Sequence, residues 1–267
     1  MRLGSKRIRT PVARQIGAVI TRELRARFVG DPLGYGWAYL TPLAWIAVIY
    51  AVFHILGRTS PVDADIGSFI LSGIMPYLAF RYQVSSVLRA KTAYRSVMAL
   101  PNVSADTVYA GIIGLEFYNA LIIYLLLLAA NFMLFGALYM TSPLQLFWGF
   151  LLASGVGAAL GYMLARLGGS GSSLTRATAV ILRPMFYLSA VFYTVNEVPR
   201  DWQQWLAWNP VLHAIELVRS GAFLDYRSEI ATGWVPVIFI LLCVGAGRWL
   251  GARPSAGPAD APAMALE

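Results

Sequence analysis

Stretches of about twenty mostly apolar residues recur along the whole chain, and they leave it few ways to fold. A run of roughly 18 or more such residues with few charges reads as a membrane span, because at about 1.5 Å per residue it matches the hydrocarbon thickness. Six runs are expected, at 35–56, 66–88, 108–135, 144–164, 175–195 and 232–250. With no water in the bilayer core, their backbone groups must be satisfied internally, so each is expected as a helix. The expected fold class is an all-α membrane protein of six transmembrane helices. Residues 1–30 form a cytoplasmic tail and amphipathic helix, 31–252 the membrane domain, and 253–267 a disordered tail rich in Pro, Ala and Gly. Composition excludes the soluble alternative: 58% of residues are hydrophobic and 13% charged, about half the charged share of an ordinary soluble domain.

The formal net charge of +8 is concentrated before the first span, in Arg2, Lys6, Arg7, Arg9, Arg14, Arg22, Arg25 and Arg27. Topology and anionic lipid account for that cluster, and nucleic acid is not an expected partner. Over 11–29, Val12, Ile16, Val19, Ile20, Leu24 and Phe28 recur at helical spacing, while Arg14, Arg22 and Arg25 group elsewhere. This pattern predicts a helix lying in the membrane interface, with Thr10 as N-cap and Pro11 at the first helical position. A helix docked on a partner would share the pattern. Gly30-Asp31-Pro32 ends it. No apolar stretch with a small-residue cleavage site follows within 30 residues, so the first span is expected to serve as an uncleaved insertion signal. Basic residues alternate between successive connections, which predicts both termini in the cytoplasm. Gly157 and Gly161 make a close-packing step in the fourth span.

The segment 196–231 is too apolar for a solvated loop and too interrupted for a span. Asn209-Pro210 divides it, predicting two short helices on the outer face, interfacial or re-entrant. Arg81, Glu116 and Arg183 fall within or at the edge of apolar spans, where charge is costly. One reading is snorkelling or structural ion pairing. The other is a cationic lining for an anionic substrate. Asp106 and Glu216 are candidate structural partners for nearby arginines. Most of the 14 Tyr and 8 Trp are expected as interfacial anchors. A minority would stack on sugar rings in a pore.

Several chemistries are excluded. The only lysines, Lys6 and Lys91, do not follow glycine, so the chain has no Walker A phosphate loop. Gly168-Gly169-Ser170-Gly171-Ser172-Ser173 lacks the cation of a phosphate cradle and reads as a flexible turn. His54 and His213 lie far apart without ligand spacing, so no metal site is expected. No catalytic triad or zincin pattern occurs. Cys243, the single cysteine, permits no intrachain disulfide.

Arg22-Glu23-Leu24-Arg25-Ala26-Arg27-Phe28, then Leu33-Gly34-Tyr35-Gly36-Trp37-Ala38 and Pro42, resemble the N-terminal signature of type-2 ABC export permeases. Leu182-Arg183-Pro184-Met185-Phe186-Tyr187, Val198-Pro199, Leu206-Ala207-Trp208-Asn209-Pro210, His213, Glu216 and Arg219 strengthen the likeness. They look like capsular polysaccharide export permeases of the KpsM type. The resemblance covers roughly residues 15–250. Asp106-Thr107 and Glu116 match it, while Arg81 and Arg89 depart from any anchored pattern.

The resemblance implies a non-enzymatic transport subunit, a homodimer bound to two copies of a separate ATPase that holds ATP and Mg. No cofactor is expected on this chain. The cargo would be a lipid-linked acidic polysaccharide, continued by a periplasmic adaptor and an outer-membrane channel. The helix around Glu23 and Phe28, with the region from Arg95 to Asp106, would contact the ATPase. Trp202, Trp205, Trp208, Glu216 and Arg219 would form the outer gate. On this basis Arg22, Arg25, Arg27, Arg89 and Lys91 are expected as a cationic cytoplasmic mouth, continued by Arg81 and Arg183. Rival readings are the same machine carrying O-antigen, teichoic acid or another lipid-linked glycan, a membrane enzyme acting on lipid-linked sugar, and a scaffold without a pore. The enzyme would need clustered acidic or His residues at one depth, and the sequence has none.

Overall fold

A computed structural model describes residues 12–28, 36–99, 103–136, 138–167 and 172–252. The Thr10-Pro11 start, the Gly30-Asp31-Pro32 break, most of the Gly168–Ser173 turn and the tail from 253 lie outside them. The described residues contain helices and turns and no strand. Ten α-helices follow one another in the described residues: α1 (Val12–Phe28), α2 (Trp37–Ile55), α3 (Ile66–Ala93), α4 (Arg95–Met98), α5 (Ala105–Phe135), α6 (Pro143–Leu167), α7 (Ser172–Leu188), α8 (Arg200–Leu206), α9 (Pro210–Ala222) and α10 (Trp234–Ala252).

Each of the six expected spans overlaps a helix, α2, α3, α5, α6, α7 and α10, the fifth only in part. Among them α5, α6 and α10 are long and apolar enough to cross a membrane by length and composition. A shorter apolar helix occupies Tyr39–Ile55. α3 has sufficient length but carries Ser68, Ser72, Arg81 and Gln83. It is the central helix, buried from Gly67 to Phe80 and packed by α2, α5, α6, α7 and α9, and Ser68, Ser72 and Gln83 are hydrogen-bonded to Asp65, Phe69 O and Ser154 while Arg81 is half-buried. Its start is fixed by Asp65, whose carboxylate accepts from Ser68 N at 2.8 Å and Ser68 Oγ at 2.7 Å. α5 starts under a Ser104 cap and ends at Gly136, whose φ of 70° is the left-handed stop that glycine adopts without strain.

Small residues set the closest crossings. A Cβ on Gly157 would collide with Phe80 O, and one on Gly161 would lie 3.0 Å from Val84 O. The glycine step of α6 therefore receives the backbone of α3. Gly149 of α6 takes α9 in the same way, where a Cβ would lie 2.7 Å from Val218 N.

Asn209 does split the segment between α7 and α10, accepting from Val211 N at 3.0 Å and Leu212 N at 3.4 Å, with Pro210 opening α9. The two halves differ in kind. Trp202, Trp205 and Trp208 are exposed on and just after α8. All of α9 except Leu217 and Ser220 is at least nine-tenths buried. α9 is thus part of the core.

The expected run 175–195 is not one helix. α7 ends at Leu188, and the chain turns through Ala190, whose φ is 57°. Arg219 of α9 explains the stop. Its guanidinium donates to Ala190 O at 2.5 Å, Tyr193 O at 2.6 Å and Val191 O at 2.8 Å. These carbonyls are satisfied from outside the helix, so non-helical backbone is stable inside the protein.

Candidate functional site

The helical period brings three short stripes to one cleft. On α3, Ile74, Tyr77, Leu78 and Arg81 share a face at i, i+3, i+4 and i+7. Trp45 and Ile49 are one turn apart on α2, and Leu182, Arg183, Phe186 and Tyr187 lie within two turns of α7. Together they line a cleft of about 510 Å³. Tyr77 ties two walls together by donating its hydroxyl to Leu182 O. Phe186 is the centre of an aromatic cluster. Its ring lies 4.8 Å from Tyr77 and 4.8 Å from Phe192, both edge-on, and 6.5 Å from Trp45. Such edge-to-face pairs are worth about 0.5–1.5 kcal/mol each beyond burial.

The electrostatics of the cleft are one-sided. Arg81 is half-buried and Arg183 exposed, and neither forms an ion pair among the described residues. Among the described residues, no carboxylate lines the cleft. Two guanidinium groups beside exposed Trp45 and Tyr187 can hold an anionic group and stack a ring face. Of the residues expected to bind substrate, the structure brings these two together here. The aromatic partners were not separable from membrane anchors by composition. The shared face of 74, 77, 78 and 81 is the signal that would have found Tyr77.

The other expected substrate residues lie elsewhere. Arg22 on α1 is exposed, its guanidinium 5.1 Å from the Tyr94 ring centroid. Arg89 is exposed and Lys91 half-buried near the end of α3. The side chains of Arg25, Arg27 and Phe28 lie outside the described residues. Glu23 accepts a hydrogen bond from the Tyr94 hydroxyl. Tyr94 is buried in a cluster with Val19, Val87 and Tyr109, so it clamps α1 from beneath. Val19 also seats over Gly111 of α5. Arg95 is exposed on α4.

Asp106 and Glu216 both have arginine partners. Asp106 pairs with Arg166 and accepts from the Tyr162 hydroxyl at 3.0 Å. Arg166 also lies over the rings of Tyr109 and Tyr162, at 5.4 and 5.2 Å. Glu216 pairs with Arg219 at 3.0 Å, both side chains at 0% exposure, and accepts from the Tyr226 hydroxyl. Burial, reinforced by Glu216, pushes the Tyr226 hydroxyl far above its usual range. Arg219 lies 4.5 Å from the Phe69 ring centroid. Of the five residues expected at an outer gate, the three tryptophans face outward and this pair is internal. Among the described residues, no group of three potential metal ligands occurs.

The model of the family "ABC-2 type transporter" matches residues 14–223. The polysialic acid transport protein KpsM of Escherichia coli is 28% identical over 218 residues, 80% of this chain and 83% of that protein. The capsule polysaccharide export inner-membrane protein CtrC of Neisseria meningitidis serogroup A is 24% identical over 86% of this chain and 85% of its own length. The O-antigen export system permease protein RfbA of Klebsiella pneumoniae is 23% identical over 74% of this chain and 75% of its own.

Proposed function

The chain belongs to the ABC-2 type transporter family, and from that premise we propose that it is the membrane permease of an ATP-driven exporter that carries a lipid-linked acidic capsular polysaccharide out across the inner membrane. The observation that carries this reading is the cleft on α2, α3 and α7, which pairs Arg81 and Arg183 with aromatic faces and has no carboxylate among its described lining residues. The relatives named for polysialic acid and capsule export support the acidic cargo.

In this reading α2, α3, α5, α6, α7 and α10 are the six spans, both termini face the cytoplasm, and α8 and α9 lie toward the outside. The cleft is half a pathway, completed by a second copy of the chain. A separate ATPase in two copies holds ATP and Mg, because this chain has no phosphate loop. It engages the α1 and α4 end, around Glu23, Phe28, Arg95 and Asp106. Arg22, Arg25, Arg27, Arg89 and Lys91 gather the lipid phosphate and acidic sugars. Arg81 and Arg183 then hold successive acidic groups while Trp45, Phe186 and Tyr187 stack on ring faces. Trp202, Trp205 and Trp208 border the exit, where a periplasmic adaptor and an outer-membrane channel continue the path.

The test is complementation in a host that lacks its own permease and keeps the partner genes. Arg81→Ala with Arg183→Ala should lower surface polysaccharide at least about tenfold, the effect of losing one charge-assisted hydrogen bond at the rate-limiting barrier. Membrane level and ATPase co-purification should stay unchanged. Wild-type export by the double variant overturns the cationic pathway. The O-antigen relative favours a second reading, a different lipid-linked glycan on the same machine. A neutral cargo would be indifferent to the two arginines, so the same strains separate the readings.

A further inference from the structure

A second, independent groove lies on α6, which takes no part in the first cleft. α5 and α10 both rest on α6, and the space between them has a volume of about 340 Å³. Its floor is Gly155, Ala158 and Ala159, and its walls include Ile113, Ile240 and Val244. None of its lining residues belongs to the arginine and aromatic cleft. Gly155 lets Ile240 of α10 approach α6 closely, since a Cβ there would lie 3.0 Å from Ile240 Cδ1.

One end of this apolar groove is charged. Asp106 and Arg248 both line it. The Asp106 charge is cancelled by Arg166. Arg248 is exposed and has no ion pair among the described residues, so this end keeps one net positive charge. Residues 240 to 248 of α10 rise about 12 Å, close to the roughly 15 Å hydrocarbon depth of one leaflet. Membrane helices usually close over small residues until their backbones meet. Here the space between α5 and α10 stays open: Ala110 is exposed and Ile113, Gly155, Ile240 and Val244 are part-exposed, while Ala158 and Ala159 keep only 7% and 4% exposure, and an unfilled void forfeits the dispersion contacts of its lining.

We propose that this groove is a structural phospholipid site, with one acyl chain lying between α5 and α10 against Ile113, Ile240 and Val244 and an anionic headgroup phosphate on Arg248. Apolar lining matches the chain, and the uncompensated guanidinium matches the phosphate. The occupant is a bilayer phospholipid rather than the exported glycolipid, because the groove shares no residue with the cleft assigned to transport.

The probe is the purified full-length protein equilibrated with mixed vesicles of dioleoylphosphatidylglycerol and dioleoylphosphatidylcholine, with retained lipid counted by native mass spectrometry. The wild type should keep one phosphatidylglycerol per chain, and millimolar glycerol phosphate should not displace it. Arg248→Ala should lower the preference for phosphatidylglycerol about fivefold, the effect of one interfacial cation. Arg58→Ala, a basic residue elsewhere, should leave it unchanged. Ala110→Trp fills the groove from its exposed rim and should abolish retention, with Ala110→Leu carrying the same test if the larger ring prevents folding. Equal retention in a folded Ala110 variant overturns the site. So does an equal loss in Arg58→Ala, displacement by glycerol phosphate, retention of an isoprenoid phosphate instead, or conversion of an oligomer to monomers by the Ala110 variant.

Discussion

Arg219→Met should be among the most damaging single substitutions in this chain. The guanidinium is at 0% exposure and serves four acceptors: Ala190 O, Val191 O, Tyr193 O and the Glu216 carboxylate. Methionine fills most of the volume but donates nothing. Breaking a buried pair by removing one partner costs about 3–5 kcal/mol, because the remaining charge has no compensation. The orphaned carbonyls raise that cost by about 1–3 kcal/mol for each one water cannot reach. A loss of about 4 kcal/mol corresponds to a melting shift of roughly 8–16 °C, taking 2–4 °C per kcal/mol for a chain of this size. Cys243 makes the assay direct. It is the single cysteine and is buried, so a thiol-reactive fluorophore reports unfolding in detergent as it becomes exposed. Arg219→Met with Glu216→Gln removes the stranded charge and should recover about half the loss, leaving the turn at 189–194 unsupported. Arg219→Lys should fall between wild type and Arg219→Met, because one ammonium cannot reach four divergent acceptors. A single variant melting within about 2 °C of wild type would refute the clamp. A double variant no better than the single would refute the charge accounting.

Gly157→Val should disrupt the crossing of α3 and α6, since its Cβ meets Phe80 O, with a cost at or above the 1–3 kcal/mol typical of overpacking and a correspondingly lower melting temperature. Tyr94→Phe removes the hydroxyl that holds Glu23 but keeps the ring beneath Arg22; hydrogen exchange should quicken in α1 while α5 keeps its protection. Thr232 N–H donates to His213 Nδ1 at 3.1 Å and Nε2 faces Ala207 O at 2.8 Å, so the neutral Nε2–H tautomer fits, and burial lowers this pKa. Its contribution is full above the unfolded value of about 6.5 and is lost as pH falls through the folded pKa, so melting temperature should decline as pH drops below about 6.5 and level off below the folded pKa. His213→Gln should flatten the decline.

Much of the architecture was written in local pattern. Helix positions follow from apolar runs of bilayer length: five match a helix closely, and the run at 175–195 overlaps α7 only as far as Leu188. The Asn209-Pro210 division announces two helices because a cap side chain and a missing N–H act within one turn. The missing phosphate loop is equally local. Arg81 and Arg183 were recognisable because charge within an apolar run is costly wherever the run ends up.

The tertiary structure decided everything that depends on distant pairing. Asp106 and Arg166 are 60 positions apart, and Ala190 and Arg219 are 29 apart; no period or cap links them. The end of α7 at Leu188 could not be read from its own residues, since the donors that permit the turn sit on α9. Which tyrosines and tryptophans face the cleft depends on how α2, α3 and α7 rotate against one another. Hydropathy places a helix in the bilayer, but it is nearly silent on rotation, because lipid and protein interior are almost equally apolar. Helix rotation brings Arg81 of α3 and Arg183 of α7 to one cleft and buries Arg219 of α9 with its glutamate.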